Sequence, residues 1–271
     1  MATLSMNETT TFRWSFEEDV VHYSAARIPA IGIWRQKLSD CGREKAVDML
    51  GDSGLKVSHL FWAGGFTGSD GRSYRESVED AAEALRTAAE LGADSLILYS
   101  GGRAGHTANH ARRLIQSALA ELIPAAVKLS VTLAVEPMHS GCATEWTFLT
   151  SIDDTVALIE AAGNPRAKMV LDTYHLGQDP DFVDRIADIV PHVALVQLGD
   201  ARQPPQGEQN RCRLGEGTVP LREIVAALKS AGYDGYYDVE LLGEEIETMD
   251  YESLLEHAKT AFEELVEPLA V

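Results

Sequence analysis

Three cysteines in 271 residues, Cys41, Cys142 and Cys212, are too few and too widely spaced for a disulfide framework. No CxxC pair offers a thiolate zinc site, and the count fits a reducing cytoplasm. The opening stretch MATLSMNETTTFRW has neither a basic segment nor an apolar core, so no secretory leader is read there. No apolar run approaches the ~20 residues that span a bilayer. Positive charge is scarce too: 23 Lys and Arg stand against 42 Asp and Glu, a formal net charge of −19. Nucleic-acid phosphates and anionic membranes call for basic faces, so neither is an expected partner. An acidic, solubilising surface accounts for the imbalance. No GxGxxG follows the first strand-like run, so the usual sign of a dinucleotide-binding sheet is absent.

What is present is a globular composition, 45% apolar and 24% charged, without linker or low-complexity segment. Short β-type runs alternate with amphipathic stretches. TTFRW (10–14) precedes a helix over 15–28, and AIGIW (30–34) precedes one over 43–54. KVSHLFWAG (56–64) leads to 74–92, where Val78, Ala81, Ala82, Leu85 and Ala89 follow the three-to-four spacing of one buried face. DSLILYSG, VTLAVEPM, AKMVLDTYHL, HVALVQLGD and GYYDVELLG continue the series, each followed by a helical pattern. Glycines in ELGADS, AAGNPR and SAGYDG stand where helix C-caps belong. Eight strand–helix units in about 260 residues predict a single (β/α)8 TIM barrel domain over residues 1–271.

A barrel of this kind carries its chemistry at the C-terminal ends of its strands. The last four strands end in polar groups that interrupt apolar runs at similar depth: Glu136, Asp172, Gln197 and Glu240. Carboxylates converging on one place repel unless a cation lies between them. Three carboxylates and an amide oxygen form a hard donor set, suited to Mn²⁺ or Mg²⁺, with Co²⁺ next. The plain alternative is a set of strand ends neutralised by Lys or Arg.

AVEP, VLDTYHLG, VQLGDAR, LGEGTVPL and GYDGYYDVELLG, in this order and spacing, resemble the sugar isomerase/epimerase superfamily of xylose isomerase-like barrels. That group includes ketose 3-epimerases, hydroxypyruvate isomerases, inosose enzymes and, more distantly, endonuclease IV. The resemblance implies Glu136, Asp172, Gln197 and Glu240 as ligands of one divalent metal. It further implies Glu136 and Glu240 as proton carriers, and His175 and Arg202 as substrate contacts. Members of the superfamily commonly have His where Gln197 stands, although hydroxypyruvate isomerase-like members carry Gln. Cys142 departs from the further Glu that many ketose 3-epimerases place six residues after the first metal-binding Glu. The implied activity is isomerisation or epimerisation of a keto sugar or related hydroxy-carbonyl compound. A metal chelated by carbonyl and hydroxyl would stabilise an enediolate while carboxylates move the proton.

Trp62 and His106 are read as walls of a sugar pocket, whereas Trp34 serves equally well as core. Asp200 is expected to orient a ligand or Arg202. The polar stretch from Arg202 to Gly217 is expected to close over the mouth. Three other readings stand beside the isomerase. A lyase or dehydratase acting on an inosose or keto sugar would use the same enediolate. An endonuclease IV-like enzyme would need more His ligands and a basic groove, and a sugar-binding barrel would need no proton carrier. The expected partner is a small carbohydrate, and a homo-oligomer is compatible with the sequence.

Overall fold

The computed structural model describes residues 2–143, 145–207 and 209–266. Eight parallel strands close in chain order: β1 (Thr3–Asn7), β2 (Ala30–Trp34), β3 (Lys56–Gly64), β4 (Ser95–Tyr99), β5 (Thr132–Val135), β6 (Ala167–Asp172), β7 (Val193–Leu198) and β8 (Tyr236–Val239). β8 pairs with β1, so no strand edge is left open. The helices are α1 (Phe16–Ala25), α2 (Arg35–Cys41), α3 (Arg43–Ser53), α4 (Tyr74–Glu90), α5 (Ala108–Leu129), α6 (Ile152–Ala162), α7 (Thr173–Leu176), α8 (Phe182–Ile189), α9 (Leu221–Ser230), α10 (Glu244–Glu247) and α11 (Tyr251–Val266). None among the described residues is long and apolar enough to cross a membrane.

The strands form where apolar runs were legible, with one exception. The first strand is not TTFRW (10–14) but TLSMN (3–7). Leu4 and Met6 join the core between sheet and helices, while Ser5 and Asn7 bond Asp238 of the neighbouring strand β8 inside the barrel. The threonines of the expected strand act instead as turn residues. Thr10 Oγ1 donates to the Val239 carbonyl, and Thr11 Oγ1 donates to Asp19 at 2.5 Å. β-propensity is a statement about fit to a pleated surface, and here polar bonds to α1 and to the distant β8 outweigh it.

α4 shows the local logic of the helices. Ser73 and Glu76 form a capping box at its start. Its buried face comprises Ser77, Ala81, Ala84, Leu85 and Ala88, while Val78, Ala82 and Ala89 flank it half-buried. The face is turned slightly from the one read in sequence.

Inside the barrel an apolar cluster of Phe61, Ile97, Tyr99, Ala134, Val170 and Leu195 coexists with a polar one. Ser5 and Asn7 donate to Asp238 at 2.7 and 2.9 Å, and Ser58 lies 3.0 Å from His59 Nδ1. Gly32 makes room: a Cβ there would fall 2.2 Å from His59 Cε1.

Candidate active site

The site lies at the C-terminal ends of β5 to β8. Asp172 closes β6 and is paired in register with Gln197 of β7, which is paired with Asp238 of β8. Side chains alternate along a strand, so Asp172, Gln197, Asp238 and, two residues on, Glu240 share the inward face. Glu136 follows β5 directly. All four expected residues are buried.

His175, on the short helix α7 that Asp172 caps, stands among them. Its Nε2 lies 3.9 Å from Glu136 Oε1 and 3.8 Å from Asp172 Oδ2. Ligand-type atoms of Glu136, Asp172 and His175 fall within 4.8 Å of one another. Glu240 is set apart from that trio by a residue that sequence reasoning did not single out. Arg211, itself buried, puts Nη2 at 2.9 Å from Asp172 Oδ2 and 3.1 Å from Glu240 Oε2. Its Nη1 donates to the Glu240 carbonyl at 3.0 Å, and its Cζ lies 4.4 Å from the centre of the Tyr174 ring. Gly199 permits this, since a Cβ there would meet Arg211 Nη1 at 2.5 Å.

Arg211 neutralises part of the acidic cluster but leaves much of it without partners. Glu136 Oε2, His175 Nε2, both amide atoms of Gln197 and Glu240 Oε2 are buried with no hydrogen bond. The Glu240 oxygen is close to Arg211 but not aligned for one. Buried polar atoms are nearly always bonded, so this concentration marks a place for a further group. The donor set is mostly carboxylate and amide oxygen with one imidazole nitrogen, and it fits a divalent cation. Burial, then the charges of Glu240 and Asp172, hold the Glu136 carboxyl well above the ordinary range. Burial pushes Glu240 up to about 7 against the pull of Arg211, and lowers His175 to about 4. A cation in their midst would bring the carboxyls down again.

Above the carboxylates opens a cavity of about 530 Å³, walled by Phe12, Trp34, Phe61, Trp62, Tyr99, Met138, Trp146 and Leu242. Trp62 stacks on Tyr99, with ring centres 5.2 Å apart, and meets Trp146 edge-on. Cys142 also lines it, its Sγ 3.5 Å from His175 Nδ1. The stretch from Arg202 to Gly217 reaches over this mouth, contributing Gly207, Gln209 and Arg211 to the lining. Gly207 N donates to the Gly141 carbonyl, tying the loop to the one after β5.

Two expected contacts lie elsewhere. Arg202 is half exposed and paired with Glu216 and Glu245, outside the cavity lining. His106 is stacked on His110 and bonded through Nε2 to the Thr67 carbonyl, also outside that lining. Among the described residues Arg202 is paired with Glu216 and Glu245 and not with Asp200. The Asp200 oxygens accept from the backbone N–H groups of Ala201, Gly215, Gly217 and Val219, and so fold the loop that delivers Arg211. The sequence clue to Arg211 was only its place in a long polar loop beside a barrel mouth.

Comparison with known proteins agrees with this architecture. The family model of the xylose isomerase-like TIM barrel matches residues 24–265, and the chain belongs to that family. A Streptomyces coelicolor protein, provisionally named a hydroxypyruvate isomerase, is 27% identical over 80% of this chain and 82% of its own. The D-psicose 3-epimerase of Enterocloster bolteae is 27% identical over 43% of this chain and 36% of its own. Among solved structures, a Sinorhizobium meliloti protein superposes with a TM-score of 0.89 at 26% identity, covering 98% of both chains. The IolI protein, described with a bound zinc atom, superposes at 0.85 with 18% identity, covering 97% of this chain and 98% of its own. Named relatives of the chain are thus isomerases and epimerases of keto sugars and similar compounds.

Proposed function

We propose that this protein is a divalent-metal-dependent isomerase or epimerase acting on a keto sugar or related hydroxy-carbonyl compound. The observation that carries this reading is the set of unpartnered buried atoms on Glu136, His175, Gln197 and Glu240 at the mouth of a barrel whose named relatives perform such reactions. Glu136, Asp172, Gln197 and Glu240 would hold the ion, which when bound polarises the substrate carbonyl. His175, neutral because it is buried, donates or accepts at a substrate oxygen beside them. Glu240 takes the proton from the carbon next to the carbonyl. Glu136 returns a proton to the opposite face of that carbon, or to its neighbour. The aromatic wall excludes water from the enediolate, and Arg211 fixes Glu240 and Asp172 in place. Mn²⁺ and Mg²⁺ suit the oxygen-rich donors, with Co²⁺ next. The chain works as a single barrel domain in a reducing cytoplasm, in keeping with three free cysteines.

The test is turnover of ketoses, inososes and hydroxypyruvate by chelated and re-metallated protein, read together with solvent deuterium uptake. Glu240→Gln keeps an oxygen donor but accepts no proton. Metal stays bound, and turnover and exchange fall together by about 10² or more. A Glu240→Gln protein that turns over normally with its metal in place would assign the proton to another group.

A further inference from the structure

The cavity over the carboxylates has a neighbour. A second cavity, of about 510 Å³, shares Trp62, Tyr99, Glu145 and Trp146 with the first and continues over the loops after β3 and β4, past Ser69 and Gly102. Trp146 stands at the junction with 43% of its surface exposed, edge-on to Trp62 at 5.4 Å and to Tyr99 at 5.9 Å. An indole held by two other rings yet open on one side presents a rigid apolar face that another ring can cover. A three-carbon keto acid or a single small sugar would fill a corner of this double space, whose parts each match the volume that larger ligands occupy.

Charge narrows the choice. Among the described residues lining the two cavities, Arg211 is the sole Lys or Arg. Its guanidinium is already engaged by Asp172, Glu240 and the Glu240 carbonyl. Glu145 is shared by both, and the outer cavity adds Asp70, already paired with Arg72 at 2.7 Å, and no Lys or Arg of its own among the described lining residues. With a divalent ion in place, its charge and that of Arg211 together balance the carboxylates of Glu136, Asp172 and Glu240 and leave no positive charge over. A phosphate or carboxylate on the substrate would enter without a charged partner, and an unpaired anion held away from water is costly.

We infer that the substrate is an uncharged glycoside whose reacting ring carries a keto group. Its reacting ring lies over Glu136 and Glu240 in the inner cavity, and its second ring, sugar or aromatic, stacks on Trp146 in the outer one. The identity of the reacting ring rests on the isomerase reading; the neutral charge and the second ring do not.

Calorimetric titration of the full-length Mn²⁺-loaded protein tests this. The panel comprises phenyl hexosides, disaccharides, the matching free hexoses, hexose 6-phosphates and hydroxypyruvate. Two-ring uncharged ligands are expected to bind at least tenfold tighter than the free hexoses, and the phosphates and hydroxypyruvate weaker than either. Phenyl hexosides against disaccharides show which second ring is preferred. Trp146→Ala should weaken two-ring ligands about five- to tenfold, the scale of a lost ring pair, and free hexoses less. Trp146→Phe, which keeps a ring, should restore most of the difference. Tighter binding of a phosphate or hydroxypyruvate, no binding of any two-ring ligand, or an equal loss for one and two rings in Trp146→Ala overturns the inference. Deuterium uptake with the keto forms of the same compounds reports separately on the reaction. Glycoside binding without exchange removes the isomerase reading and leaves the substrate class standing, whereas exchange confined to phosphorylated sugars does the reverse.

Discussion

Asp238 stands two residues before Glu240 on the same inward face, and burial there outweighs hydrogen-bond partners that favour its charged form. Ser5 and Asn7 donate to it, and His59, 3.8 Å away, is pulled down to about 3 by burial and so carries no charge. Burial pushes Asp238 up to about 8. The folded state therefore holds a proton that the unfolded chain releases near 3.8. That stability is fully present below about pH 4 and is lost as pH rises through about 8. His59 acts in the opposite sense, but only below its ordinary 6.5, so the interval from 6.5 to 8.5 isolates the carboxyls. One proton amounts to about 1.4 kcal/mol per pH unit, or about 2–4 °C for each kcal/mol in a protein near this size. Chelated protein should melt several degrees lower at pH 8.5 than at 6.5, and Asp238→Asn should reduce that slope, the remainder belonging to Glu240, Asp19 and the other buried carboxyls. An unchanged slope in Asp238→Asn would mean that Asp238 is already ionised beside His59.

At the scale of elements, the loop from β1 to α1 brings Thr9 and Phe12 to the pocket and is held from beneath by α2. Lys37 of α2 donates to the carbonyls of Glu8 and Thr11 and to Asp19 of α1, at 2.8, 2.9 and 2.6 Å. Glu8 in turn accepts from the Trp34 backbone at the end of β2. Lys37 pairs with the carboxylate of Asp19 and lies near that of Glu8, and burial pushes both carboxyls up, Asp19 to about 7. Removing the cation leaves two carbonyls and a carboxylate unsatisfied in the interior. Lys37→Met should cost about 3–5 kcal/mol of stability, measured by urea unfolding, as expected for a broken buried pair. A loss below about 1 kcal/mol would show that the loop is held by other contacts. The same clasp explains why TTFRW forms no strand. Its threonines and backbone are engaged by α1, which follows at once, and by α2 and β8, which are remote in sequence.

For the molecule as a whole, the cluster at the mouth couples metal binding to folding. A cation that binds the folded barrel and not the unfolded chain adds about 2.7 kcal/mol at a hundredfold excess over its Kd. Titrating chelated protein with Mn²⁺ or Mg²⁺ should therefore raise the melting temperature by about 5–10 °C. The increase should vanish in the double variant Glu136→Gln, Asp172→Asn. A flat response to Mn²⁺, Mg²⁺, Co²⁺ and Zn²⁺ alike would mean that Arg211 is the cluster's resident cation.

Strand, helix and strand-end carboxylate are local facts, and the sequence by itself determined them everywhere but at β1. Apolar runs and three-to-four spacing depend on neighbours within a dozen residues, and Glu136, Asp172, Gln197 and Glu240 are visible because each interrupts such a run. Which arginine turns inward is not local. Arg202 and Arg211 lie in one polar loop without period. The choice falls on Arg211 because Asp200 gathers four backbone N–H groups and Gly199 leaves space beside Tyr174. Trp146 likewise acquires its meaning only when closure of the barrel brings the loop after β5 against Trp62 and Tyr99. His106, read beside Trp62 in the sequence, is held outside the cavity lining by its bond to the Thr67 carbonyl and its stack on His110. Tertiary structure decided these placements, because loops across a barrel mouth take their contacts from residues that only the closed sheet makes neighbours.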